Sequence, residues 1–102
     1  MYARLTFIEI DAKDTQEVSA VYNSEVVPAV REFKGLINVM LLEPEDSTGQ
    51  LISLTTWNSK EDADVYENSG TYRKLVEKVK EKMISKPVLK TYNIQESPVP
   101  VM

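Results

Sequence analysis

The sequence predicts an α+β fold in which helices cover one face of a four-stranded antiparallel sheet. Two observations lead to this prediction. Apolar residues alternate with a period of two in four short segments, as in strands, and follow helical spacing in the two longer segments between them. The chain has 102 residues, of which 42% are apolar, so it is long enough for one hydrophobic core and too short for two.

The first strand and the first helix are predicted in the N-terminal third of the chain. Segment 2–10 alternates between two faces, which indicates a strand. Asp14, followed three residues later by Glu17, has the spacing of a capping box and predicts the start of a helix. Pro28 lies inside the helical pattern and is expected to break the helix near Val26, because proline removes a backbone hydrogen bond and crowds the preceding turn.

A β-hairpin is predicted in the middle of the chain. Gly35 is expected to end the first helix, and segments 36–43 and 50–57 are expected to pair as strands. The residues between them are typical of a turn, in which Gly49 is free to adopt a positive φ.

A second helical region and a fourth strand follow. Ser59 is expected to cap the first part of this region, and 68–70 to interrupt it. The stripe beyond has nearly ideal helical spacing: Tyr72, Leu75, Val76, Val79 and Met83. Segment 85–87 should stop the helix, and 88–95 should form the last strand. Residues 1–95 are therefore predicted to be a single domain, with 96–102 as an extended C-terminal tail.

The order β-α-β-β-α-β is the ferredoxin-like arrangement, with both helical regions on one face of the sheet. A sheet covered on one face should alternate apolar and polar residues, yet the second strand is apolar on both. Strict alternation places Leu36, Met40 and Leu42 on one face and Ile37, Val39 and Leu41 on the other. We therefore expect a homodimer, or a higher oligomer built from dimers, closed sheet against sheet as a dimeric α+β barrel. A monomer with an exposed apolar face is the alternative.

The composition excludes several kinds of site. The chain has no cysteine and no histidine, which removes disulfides, thiolate chemistry, Ser-His-Asp triads and the usual zinc or iron ligands. Glu43, Glu45 and Asp46 cluster, but they lack the spacing of a calcium loop, and we interpret them as a solvated turn. We therefore expect no metal and no other cofactor.

Charge and hydropathy exclude two kinds of partner. The net charge of −4 argues against nucleic acid, and no apolar run is long enough to span a membrane. The N-terminal residues alternate as in a strand and do not have the pattern of a signal peptide. A cytoplasmic location is the resulting expectation.

Three stretches of the chain have a characteristic order and spacing. They read Val-Val-Pro-Ala-Val at 26–30 with Phe-Lys-Gly-Leu at 33–36, Leu-Thr-Thr-Trp-Asn-Ser-Lys-Glu-Asp-Ala at 54–63, and Asn-Ser-Gly-Thr-Tyr at 68–72. In these stretches the chain resembles the antibiotic-biosynthesis-monooxygenase-like family of the dimeric α+β barrel superfamily. The resemblance implies a dimer and an activity among those of the family, which include cofactor-independent oxygenation of polyketide aromatics, oxidation of quinols and degradation of haem.

The haem-degrading branch of the family does not match this chain. Its members have Asn, Trp and His at positions that align here with Ala3, Tyr66 and Val76. The branch that oxygenates polyketides matches in part. Trp57 stands where those relatives have Trp, whereas Ser53 replaces an Asn.

Oxygenation without metal or flavin requires a substrate that supplies the electrons as an anion and a site that holds this anion away from water. We expect the site between sheet and helices, with five substrate-binding candidates: Trp57, Ser53, Tyr66, Tyr72 and Asn38. Trp57 is either a core residue or a pocket wall, and Arg4 or Arg73 is available to hold an anion. No catalytic residue is assigned.

The leading hypothesis for function is a cofactor-independent monooxygenase acting on a small aromatic or quinol-type molecule. The alternative is a non-catalytic dimeric protein of the same fold that binds a small apolar or aromatic ligand. The sequence offers no obvious group to accept a proton inside the cleft, and this leaves the alternative open.

Overall fold

The computed structural model describes residues 1–95 and has the predicted α+β fold. Four strands form one antiparallel sheet in the ferredoxin-like order β2-β3-β1-β4. Their bounds are β1 (Tyr2–Glu9), β2 (Leu36–Leu42), β3 (Gln50–Trp57) and β4 (Val88–Asn93). The third strand has the predicted bounds, and the others are one or two residues shorter. The predicted tail at 96–102 lies outside the described residues.

Both helical regions pack on the same face of this sheet. The helices are α1 (Thr15–Val21), α2 (Val27–Val30), α3 (Lys60–Glu67) and α4 (Gly70–Lys80). Two buried clusters lie between the helices and the sheet, one around Trp57 and Tyr66 and the other around Ile8 and Leu51. The helices of the same chain thereby cover one face of the sheet.

The first helical region begins earlier than predicted. A 3₁₀ turn at Ala12–Asp14 precedes α1, and the side chain of Asp11 accepts a hydrogen bond from the backbone N–H of Lys13 at 3.0 Å. Asp14 makes no capping bond with its side chain, so the predicted capping box with Glu17 is wrong. Asp11 satisfies the free N–H groups one turn earlier than the sequence spacing indicates.

The predicted break near Val26 is confirmed, and it has the form of a π-helical turn over Tyr22–Val26. The backbone N–H of Val27 bonds to the carbonyl of Tyr22, five residues earlier, immediately before Pro28. The wider turn leaves both Tyr22 and Val26 buried against the sheet. The helix then ends at Val30, and the prediction that it extends to Gly35 is wrong.

A β-bulge in β2 changes the predicted assignment of faces. The pairing of β2 with β3 shifts between Leu36 and Asn38. As a result Leu36 packs on the helix-covered core together with Val39 and Leu41. The prediction that Leu36 shares a face with Met40 was wrong, because the extra residue in the bulge reverses the alternation.

The second helical region confirms the predicted start at Ser59 and the predicted interruption at 68–70. The Ser59 hydroxyl accepts a hydrogen bond from the backbone N–H of Asp62, and that of Ser69 accepts one from Tyr72, each at 3.2 Å. The Ser69 cap, which the sequence analysis did not name, begins α4 directly after the interruption.

The last helix ends at Lys80, before the predicted stop at 85–87. Beyond it, Met83 forms an isolated bridge with Ile10, and the backbone N–H of Ile84 donates to the carbonyl of Glu9 at 2.8 Å. The chain leaves the helix because these backbone groups pair with the end of β1.

The sheet face opposite the helices is uncovered in a single chain. Its side chains form three rows across the four strands: Asn38, Thr56, Ala3 and Tyr92; Met40, Leu54, Leu5 and Lys90; Leu42, Ile52, Phe7 and Val88. We call this surface the outer face. Met40 is 41% exposed and Tyr92 is 49% exposed, and every residue of β4 is exposed. The described residues of one chain therefore leave a largely apolar surface open to solvent.

The hairpin turn depends on Gly49. Its φ of +82° is left-handed, and a Cβ atom there would overlap the carbonyl oxygen of Ile10. We expect Gly49→Ala to lower the free energy of unfolding by at least about 1–2 kcal/mol, the cost of the left-handed conformation alone. Gly70→Ala is the matched control, because a Cβ at Gly70 meets no atom within 4 Å. Urea unfolding that finds the two variants equally stable would contradict this assignment.

Candidate functional site

A cavity of about 60 Å³ lies between the helices and the sheet, where the sequence predicts the site. Thr6 and Ser53 lie on its floor and face each other across β1 and β3. Its other walls are mainly apolar and aromatic: Ile8, Val18, Tyr22, Val26, Tyr66, Tyr72, Leu75, Val76, Val79, Met83 and Pro87. The structure therefore brings together three of the five predicted residues: Ser53, Tyr66 and Tyr72.

Two hydroxyl groups in the cavity wall, those of Tyr22 and Ser53, form a hydrogen bond with each other. The Tyr22 hydroxyl lies 2.8 Å from Ser53 Oγ and donates to the carbonyl of Met40 at 3.2 Å. The sequence places Tyr22 in the apolar stripe of the first helix, and nothing in that pattern shows where its hydroxyl points. In the π-helical turn the Tyr22 ring points toward the sheet. Tyr22 is therefore a site residue that sequence reasoning missed. π-helical turns are frequent at functional sites. The break that the sequence predicts near Val26 was therefore the available signal for a site residue in this turn.

Trp57 belongs to the core behind the cavity. It is 0% exposed, and its indole N–H donates to Thr55 Oγ1 at 2.9 Å. Its ring stacks on Tyr66 with a centroid distance of 5.4 Å. Of the two interpretations open from the sequence, the structure favours the core residue, because Tyr66 stands between Trp57 and the cavity. Trp57 affects the site indirectly, because its ring holds the ring of Tyr66 in place.

Asn38 lies away from the other predicted residues. It is exposed on the outer face, where it pairs with Thr56 of β3. The prediction that Asn38 joins the cavity is not supported, since Asn38 alternates with Val39, which packs on the core, and so lies on the opposite side of the sheet. Its amide needs no buried partner there, because it is open to water.

Arg4 is buried beside the aromatic wall of the cavity. It is 4% exposed, and its guanidinium carbon lies 5.4 Å from the ring centre of Tyr66 and 4.9 Å from that of Tyr72. The two tyrosine rings meet edge to face at 5.4 Å. Arg73, the other arginine considered from the sequence, is exposed. The structure therefore places a cation next to the site from β1 and not from α4.

The buried tyrosines are hydrogen-bond donors at ordinary pH. Burial raises the pKa of Tyr22, and the hydrogen bond from Ser53 opposes this rise only in part. Burial also raises the pKa of Tyr66, against the attraction of the Arg4 charge. Both hydroxyls therefore stay protonated near neutral pH. They are suited to donate to an oxygen of a bound molecule and unsuited to remove a proton from it.

Acidic groups are not part of this cavity. Among the residues that line it in the described chain, none is a carboxylate. Over residues 1–95, no three acidic side chains lie close enough together to hold a metal ion.

None of the helices described is both long and apolar enough to cross a membrane. The cytoplasmic location expected from the sequence stays a prediction.

A second cavity, of about 450 Å³, lies at the end of the sheet near the β2–β3 hairpin. Although it is larger, it contains none of the five predicted residues. Four of its side chains are the row of the outer face formed by Leu42, Ile52, Phe7 and Val88. Its shape therefore depends on whatever covers that face, and we place the site in the smaller cavity, where the hydroxyl and aromatic groups converge.

Solved structures from several organisms share this fold. A candidate antibiotic biosynthesis monooxygenase from Deinococcus radiodurans has 12% identity and a TM-score of 0.84, with 100% of this chain and 99% of that chain covered. One from Nitrosomonas europaea has 14% identity and a TM-score of 0.80, covering 94% and 100%. A monooxygenase from Streptomyces coelicolor, solved with the ligand nanaomycin D, has 12% identity and a TM-score of 0.83, covering 98% and 92%.

No curated protein matches the sequence. At these low identities the solved structures show a common fold and leave the reaction open. The family model described as antibiotic biosynthesis monooxygenase matches residues 1–78, most of the chain. The chain therefore belongs to the antibiotic biosynthesis monooxygenase family.

Proposed function

We propose that this protein is a cofactor-independent monooxygenase that acts on a small aromatic or quinol-type molecule in the cavity between sheet and helices. The observation that supports this most is the Tyr22–Ser53 hydroxyl pair, which faces the ring of Tyr66 across a largely apolar cavity. Aromatic walls stack on a flat molecule, and a few fixed hydroxyl groups orient its oxygen atoms. Membership of a family described as monooxygenases is consistent with this site.

The reaction needs no electrons from the protein. For an anthrone-type substrate, a methylene carbon loses one proton to solvent and the resulting enolate reduces O₂. One oxygen atom becomes the new carbonyl oxygen and the other leaves as water, so the four-electron oxidation of the methylene balances the reduction of O₂. In this scheme Tyr66 donates a hydrogen bond to the substrate oxygen, where negative charge develops, and so does Tyr22 once its hydroxyl turns away from the Met40 carbonyl.

A non-catalytic binding protein is the second candidate. The observation in its favour is the lack of a carboxylate among the described residues that line the cavity. A protein that only binds a flat molecule needs no group to accept a proton. The two candidates share the cavity and differ in whether O₂ is consumed there.

We also propose that two copies of the chain pack sheet against sheet through the outer face. The three rows of that face carry Leu5, Met40, Leu54 and Phe7 toward solvent in a single chain. β4 is exposed on both of its faces, which a partner would also cover. A closed two-chain barrel accounts for both observations.

Oxygen uptake tests the proposed activity. We expect saturable uptake above the uncatalysed rate when the protein is mixed with an anthrone or a quinol, in the presence of a chelator and without added flavin. Tyr22→Phe should lower kcat roughly tenfold or more, because it removes one donor to the developing anion.

Ser24→Ala is the control for that variant. It removes a hydroxyl from the same π-helical turn, and within residues 1–95 Ser24 Oγ donates only to the carbonyl of Val21, at 3.4 Å. Uptake that Tyr22→Phe leaves unchanged would remove Tyr22 from the reaction. Saturable binding of the probe with no uptake would favour the binding protein.

A further inference from the structure

Arg4 is a buried cation with two donor atoms that make no hydrogen bond to the described residues. Its Nε and Nη2 atoms have no hydrogen-bond partner within residues 1–95. Glu67 Oε1 forms an ion pair with Nη2 at 3.6 Å, but this distance is too long for a hydrogen bond. Burying a charge is costly unless it is paired and hydrogen-bonded. Because Arg4 is only 4% exposed, the protein bears this cost when no ligand is bound.

Two rings of the cavity wall separate Arg4 from the cavity. Tyr66 is held on its far side by stacking on Trp57 and by an edge contact from Phe33 at 5.0 Å. Tyr72 is only partly buried and lies at the start of α4. Of the two rings, Tyr72 is therefore the one that can turn outward while Tyr66 stays stacked on Trp57. The movement gives up the contacts of Tyr72 with Tyr66 and Arg4, which an incoming ring can replace.

We propose that Arg4 is the anion-binding residue of the site, reached when Tyr72 turns aside to admit a planar aromatic molecule that carries a negatively charged oxygen. The location rests on the cavity of the proposed function, whereas the binding step is independent of any reaction with O₂. The incoming ring replaces that of Tyr72 over the guanidinium and against Tyr66. Its charged oxygen accepts hydrogen bonds from Nε and Nη2, which are then satisfied.

The cavity is so small that an aromatic ligand can enter only when a wall residue such as Tyr72 moves aside. About 60 Å³ is far below the roughly 300 Å³ at which small-molecule pockets begin. Moving the Tyr72 ring out adds the space of a phenol and opens a path to the guanidinium. A neutral aromatic molecule would gain the stacking but leave the Arg4 donors unpaired. The site should therefore discriminate by charge among ligands of equal shape.

Calorimetric titration with 1-naphthoate and its neutral counterpart 1-naphthamide tests the proposal on the unmodified protein. We expect naphthoate to bind at least tenfold more tightly. In Arg4→Met this preference should disappear while the affinity for naphthamide stays the same, and Arg4→Lys should retain part of it. Thermal unfolding of both variants tests whether they fold. Arg4→Met is expected to be about as stable as the parent, because it removes two buried donors that lack hydrogen-bond partners together with a half-exposed ion pair.

Tyr72→Ala tests whether the Tyr72 ring blocks access to Arg4, and Tyr72→Phe is its control. Removing the ring should tighten the binding of both ligands, whereas Tyr72→Phe should leave the affinities within about twofold. Equal affinities for naphthoate and naphthamide in the unmodified protein, or an unchanged preference in Arg4→Met, would overturn the proposal. Failure of oxygen uptake alone would leave these results unaffected and would count only against the monooxygenase.

Discussion

Leu54→Asp is expected to dissociate the dimer or to unfold the chain. Leu54 lies in the middle row of the outer face, between Met40 and Leu5 on the neighbouring strands. In a barrel closed sheet against sheet, an aspartate there would be buried without a partner, which costs several kcal/mol for each chain. Sedimentation velocity at micromolar concentration, together with circular dichroism, measures both results.

Val65→Asp is the matched control for this variant. Val65 is 64% exposed on α3, on the helical side of the molecule, so the same change in charge should leave the assembly intact. A well-folded monomer of the unmodified chain at micromolar concentration would contradict the proposed dimer. So would dissociation by Val65→Asp to the same extent as by Leu54→Asp.

Trp57→Ala is expected to have the largest effect on stability. The side chain is fully buried, donates to Thr55 and stacks on Tyr66. Removing it should lower the free energy of unfolding by about 3–5 kcal/mol. That loss is a large part of the roughly 5–15 kcal/mol that stabilises an ordinary domain. Urea unfolding measures it, and Trp57→Phe, which keeps a ring against Tyr66, should lose clearly less.

Ligand affinity separates the two roles of Trp57. Where Trp57→Ala still folds, the ring of Tyr66 has lost its stacking partner, and we expect weaker binding of an aromatic probe. A folded Trp57→Ala protein with unchanged affinity would exclude Trp57 from the site. Unchanged stability would contradict the core assignment itself.

The parts of the fold that follow from local chemistry were predictable. Ser59 and Ser69 cap helices because their hydroxyls reach an N–H three residues on, and this spacing is visible in the sequence. Period-two alternation along β3 places Ser53 and Trp57 on one face, as the structure has them. The order of strands then fixes which side of the sheet the helices cover.

The remaining features depend on contacts between distant segments. The β-bulge after Leu36 is set by pairing with β3, and strict alternation therefore placed Leu36 incorrectly. The hydroxyl of Tyr22 meets Ser53 only because the helix widens before Pro28. The sequence left Arg4 and Arg73 equally available to hold an anion, since the rings that bury Arg4 come from helices more than fifty residues away.

The fate of molecular oxygen is the most direct test of the proposed monooxygenase. Under ¹⁸O₂, with an anthrone, a chelator and no flavin, mass spectrometry should find one labelled oxygen atom in each quinone formed. The product should appear at a rate well above that without protein, and Tyr22→Phe should slow it. Formation at the uncatalysed rate, or incorporation of oxygen from water in place of O₂, would contradict the proposed reaction.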